Sequence, residues 1–124
     1  MEIFKNSEIE QIILDESTIM SIKWVNNNGI DIEMDVDWCG QESLKNKIDF
    51  LNINTKLLFT HVSDIDFNFK HSNNYTIGAL EITEFSFNEI DKRYSVYLKF
   101  DFQPVGHIKF DCDEIKFVIE DNNK

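Results

Sequence analysis

Residues 18–38 read TIMSIKWVNNNGIDIEMDVDW, two period-2 runs joined by Asn26-Asn27-Asn28-Gly29. A type I turn with Gly29 in the left-handed conformation makes a three-residue loop closed by a bulge. Asn26 then pairs with Ile30. Trp24 is set opposite Ile32, Ile22 opposite Met34 and Met20 opposite Val36, all on one face. The other face pairs Lys23 with Glu33, Ser21 with Asp35 and Ile19 with Asp37. A two-residue turn would slip the ladder by one and put Trp24 against Glu33. Since a slip of one residue sends the apolar set to the wrong face, the three-residue loop is the consistent reading. Trp24 is expected in the core.

Residues 95–112, SVYLKFDFQPVGHIKFDC, repeat the logic. Pro104 and Gly106 occupy the positions that a type I turn over 103–106 prefers. The expected partners are Phe102–Ile108, Phe100–Phe110 and Leu98–Cys112 on the apolar side. Asp101–Lys109 and Lys99–Asp111 lie on the polar side, which makes that face charge-balanced. Further strand-like runs are LLF at 57–59, DIDFNFK at 64–70, GALEITEFSFNE at 78–89 and EIKFVIE at 114–120. The apolar phase switches near Thr83-Glu84, as a bulge or bend would make it. It switches again between Cys112 and Ile115, so EIKFVIE is either a bulged continuation or a separate last strand. Ser7 and Glu10 have capping-box spacing, and Ile9, Ile12 and Ile13 share one face of a short helix over 7–14. Leu44, Ile48 and Leu51 allow a second short helix. The expectation is a mainly β chain, with α+β as the alternative. It is an antiparallel β-sandwich or partly open barrel of seven or eight strands with one or two short helices.

At 124 residues, 42% of them apolar and 11 of them Phe, the chain suits one packed domain over 1–124. Net charge is −11, so nucleic acid and anionic membranes are poor partners and a basic protein is a suitable one. Neither a basic-then-apolar leader nor an apolar run of membrane-spanning length occurs in the sequence. A cytoplasmic location is expected, with Cys39 and Cys112 as thiols.

Chemical motifs are sparse. There is no GxGxxG or GxxxxGK[ST] phosphate cradle, no GxSxG elbow and no HExxH helix. His61, His71 and His107, even with Cys39 and Cys112, show no ligand-pair spacing, so no metal, cofactor or catalytic residue is assigned. Cys112 reads as a core thiol, while the reactivity of Cys39 stays open. The D-x-D triplets at 35–37, 64–66 and 111–113 fit solvated strand faces, with the middle residue pointing inward. One asymmetry stands out. Asp31, Glu33, Asp35 and Asp37 project from one strand with only Lys23 opposite them. Such a row repels itself, and a basic partner would relieve that repulsion. These four carboxylates are the candidate partner-binding residues.

LDESTIMSIKW at 14–24, the acidic strand ending DVDWCG at 35–40, KLLFTHVSDIDF at 56–67 and GHIKFDCDEIKFVIE at 106–120 form a pattern. It resembles small acidic bacterial immunity proteins of polymorphic-toxin and contact-dependent inhibition systems. The resemblance implies a non-enzymatic protein that neutralises a toxin domain by binding it. With the charge, it points to occlusion of a cationic, nuclease-like domain. A nucleic-acid-mimicking inhibitor and a small-ligand β-barrel are the alternatives. The sequence leaves oligomeric state open.

Overall fold

The computed structural model describes residues 2–26, 28–38, 40–41, 53–70, 80–102 and 105–121. Within them the chain is mainly β: ten strands, all paired antiparallel, form two sheets packed as a sandwich and not closed into a barrel. The six-stranded sheet runs β1 (Glu2–Lys5), β10 (Glu114–Asp121), β4 (Ile53–Thr60), β3 (Ile30–Asp37), β2 (Thr18–Asn26), β6 (Leu80–Glu81). The four-stranded sheet runs β5 (Ser63–Lys70), β9 (Val105–Cys112), β8 (Arg93–Phe100), β7 (Glu84–Ile90). The count exceeds the expected seven or eight because β1 adds a strand and residues 80–89 divide between the sheets.

That division explains the switches of phase. At 82–83, as at Asp113, the chain leaves one sheet for the other and the side facing the core inverts, from Ile82 to Phe85 and from Cys112 to Ile115. At the first of these a bulge is present: Thr83 N–H donates to the Lys99 carbonyl at 2.8 Å while Glu84 is the ladder partner of Lys99. EIKFVIE is the separate last strand, lying between β1 and β4. The inward residues Phe59, Phe110, Phe117, Leu57, Leu98 and Met34 are buried completely or nearly so. Phe59 meets Phe110 edge-on across the sandwich, with centroids 4.8 Å apart.

The first hairpin keeps its expected register from Ser21 to Asn26, including Trp24–Ile32 and Lys23–Glu33. Two details differ. Asn28 takes the left-handed conformation at φ +56°, and Gly29 sits at φ +147°, also closed to most side chains. A shift between Ile19 and Ser21 takes Met20 out of the ladder, so Val36 faces Ile19 and Asp37 faces Thr18. Trp24 is on the inward side yet 53% exposed, because the facing sheet ends at β5. Its indole stacks on Phe67 at 5.8 Å, and Phe67 is itself half-exposed.

The second hairpin is corrected by four positions. Phe100 pairs with Gly106, Leu98 with Ile108, Val96 with Phe110 and Tyr94 with Cys112. Lys99 faces His107 instead of Asp111, and Phe102 is exposed at 59%. An even slip preserves which face each residue occupies, so sidedness could not detect it. Tertiary contacts hold the longer loop open: Thr83 Oγ1 accepts the Asp101 N–H at 2.8 Å. Gly106 has no positive φ. It sits in a central strand where an added Cβ would strike the Asn68 carbonyl and lie 2.8 Å from Phe69 Cα. Phe69 and Phe100 close over the space it leaves, with centroids 5.5 Å apart.

The amino-terminal helix is a 3-10 helix over Asn6–Gln11 (η1). Glu8, not Glu10, supplies the return bond of the cap, accepting the Lys5 N–H at 2.8 Å. Ile9 and Ile12 are buried as expected, but the backbone turns extended at Ile12 and leaves Ile13 60% exposed. The expected helix around 44–51 lies outside the described residues, as do Cys39, His71 and the Gln103-Pro104 turn.

Candidate functional site

The outward face of β3 carries the acidic row, and its two neighbours decide how acidic that row is. β3 lies between β2 and β4, and β4 brings Lys56 opposite Asp35. The row is therefore not unpaired along its length. Lys56 Nζ is 3.0 Å from Glu33 Oε1 and 3.9 Å from Asp35 Oδ1. The hydrogen bond and charge of Glu33 raise the Lys56 pKa above its ordinary value, with Asp35 and Glu120 adding to the effect. Asp35 also accepts the Ser21 hydroxyl at 2.7 Å. Asp31 accepts the His61 N–H at 3.0 Å, holding the β4–β5 crossing. Asp37 is exposed, with no hydrogen-bond or ion-pair partner among the described residues.

The four carboxylates thus separate by role. Asp31, Glu33 and Asp35 are engaged inside the fold, and Asp35 with Asp37 also lines an open hollow of about 610 Å3 beside Trp38, Thr55 and Lys56. Met20, pushed out by the bulge, stands at the same hollow and is 65% exposed. The hollow combines two carboxylates, one lysine already committed to Glu33, and a flexible thioether. This is a lining suited to a cationic side chain carried on an apolar stem. Lys56 was legible in principle, since NTKLLF alternates, but its partners depend on β4 lying beside β3. Nothing in residues 18–38 signals the bulge at Met20.

Two histidines sit on carboxylates elsewhere. His107 Nε2 is 3.1 Å from Asp66 Oδ2 on the outer face of the smaller sheet. His61 Nδ1 is 3.0 Å from Asp113 Oδ2, and Asp113 Oδ1 receives Arg93 Nε at 2.7 Å. Arg93 also donates to Ser63 Oγ and to the His61 carbonyl. Gly29 leaves room for this imidazole, for a Cβ there would lie 2.9 Å from His61 Cδ2. The Arg93 hydrogen bond and charge, then His61, hold the Asp113 carboxyl below the usual carboxylate range. The cluster joins three chain reversals, which is a structural task. The Cys112 thiol is buried, and burial pushes it up to about 12, so it is a protonated core group at neutral pH. Among the described residues no three His, Cys, Asp or Glu side chains converge as a metal site. Nor is any described helix long and apolar enough to cross a membrane. No protein-family model, curated protein or solved structure matches the chain.

Proposed function

We propose that this protein is a non-enzymatic inhibitor of the immunity-protein kind, which docks on a basic partner domain and occludes it. The observation that carries the reading is the Asp35–Asp37 hollow beside exposed Met20, on a chain of net charge −11. A lysine or arginine of the partner enters the hollow, its stem on Met20 and its charge on Asp37 and Asp35. The surrounding negative field steers approach, to association rates on the order of 10⁸ M⁻¹s⁻¹ at low salt. Asp31 and Glu33 contribute field more than contact, since neither lines the hollow. A duplex-mimicking surface would need regular carboxylate rows, and Lys56 beside Glu33 and Asp35 breaks this one. The interior between the sheets is occupied by side chains, which favours a binding surface over a ligand barrel.

The test is co-expression with the product of the adjacent reading frame, followed by stopped-flow association of the purified pair. The expected result is growth rescue and a basic partner. Asp35→Asn with Asp37→Asn should associate about tenfold more slowly at low salt with a flattened salt dependence. The control, Lys99→Gln with Asp111→Asn on the other sheet, should match the parent. No complex, or equal rates and salt slopes for both double variants, would overturn the reading.

A further inference from the structure

The edge of the smaller sheet at β7 holds a second feature, unrelated to the acidic row. Asp91 and Lys92 both take positive φ, at 50° and 67°, and form a two-residue turn with Ile90 opposite Arg93. That turn makes Ile90–Arg93 a hydrogen-bonded pair, and pairs then alternate along the ladder. Phe85, Phe87 and Glu89 therefore aim their backbone N–H and C=O groups away from β8, where they meet no backbone partner among the described residues. Beside this edge runs η1. Between them lie two hollows, of about 240 and 290 Å3, that share Glu10 and Phe87 and so form one trough. Its walls are apolar at Ile9, Ile12 and Phe85, and carboxylates stand at Glu10 and Glu89. Among the described residues no lysine or arginine lines it.

We infer that this trough accepts an extended, positively charged peptide segment of a partner protein, added to β7 as a fifth strand of the smaller sheet. Backbone bonds to Phe85, Phe87 and Glu89 supply the pairing, as in other strand additions. Alternate side chains of the segment divide between the Ile9–Phe87 wall and the carboxylates. Charge selects the occupant. A second copy would add its own Glu10, Glu84 and Glu89 to an edge that already carries these carboxylates, whereas a basic segment neutralises them. The inference does not rest on the β3 hollow.

The probe is a synthetic Lys–Val alternating peptide of seven residues, the length of β7, titrated into the full chain and followed through its amide resonances. Expected are shifts and slowed hydrogen exchange at Phe85, Phe87 and Glu89, and affinity that falls with salt. N-methylation of alternate peptide nitrogens should weaken binding about tenfold, as loss of backbone pairing requires. Glu10→Gln with Glu89→Gln should weaken it too, while Asp35→Asn with Asp37→Asn should leave it unchanged, which separates this site from the β3 hollow. Equal binding of the N-methylated peptide, or shifts only outside β7 and η1, would overturn the inference. So would protection of the three amides without peptide, the sign of an edge covered by its own chain or by a second copy.

Discussion

Gly106 and Trp24 show how one residue type takes its meaning from its neighbours. In a tight turn over 103–106, Gly106 would matter for a left-handed backbone. In the sandwich it matters because β5 passes so close that no Cβ fits. Gly106→Val should therefore cost at least about 1–3 kcal/mol, the usual range for overpacking, read as a lower denaturant midpoint. Loss of amide protection in β5 would accompany it, whereas a purely turn-based strain would spare β5. Unchanged protection there would contradict the close approach. Trp24 moves the opposite way. A fully buried indole would be worth about 3–5 kcal/mol on truncation. Half-exposed and stacked on one ring, it should lose about 1 kcal/mol in Trp24→Ala. Chemical denaturation distinguishes the two values.

Between elements, the Arg93–Asp113–His61 cluster connects the β7–β8 turn, the β9–β10 crossing and the β4–β5 crossing. Its contribution has a pH signature. The Asp113 pKa is held low in the folded protein, so its stabilisation is present above the unfolded carboxylate value of about 3.9 and is lost as pH falls through the folded one. Asp113→Asn should accordingly lie below the parent in melting temperature near neutrality, and the gap should close in acid. A gap independent of pH would mean that the carboxylate charge is not what ties the crossings together. The β8–β9 register belongs to this scale as well. Its offset of four comes from the Asp101–Thr83 bond and from β5 packing on Gly106, contacts made with elements distant in sequence.

At the scale of the whole molecule, charge dominates. Changing Asp35 and Asp37 to Asn takes the net charge from −11 to −11 + 2 = −9. Both side chains lie outside the core and Lys56 keeps Glu33, so folding should be preserved, with stability within about 0.5 kcal/mol of the parent. Added salt should raise the parent's melting temperature more than the variant's, since screening relieves more self-repulsion there. Equal salt responses would show that the pair adds nothing to the field. Alternation and turn residues alone give the β class, the sidedness of β3, β8, β9 and β10, the length of the first hairpin loop and the outward direction of Asp31, Glu33, Asp35 and Asp37. Alternation and turn chemistry are local, and both survive any even slip of register. Strand order comes from the packed fold, and with it the Lys56 pairing, the exposure of Trp24, the offset of β8 on β9 and the hollow at Met20. Those depend on which strands become neighbours, and no residue's own pattern encodes what lies beside it.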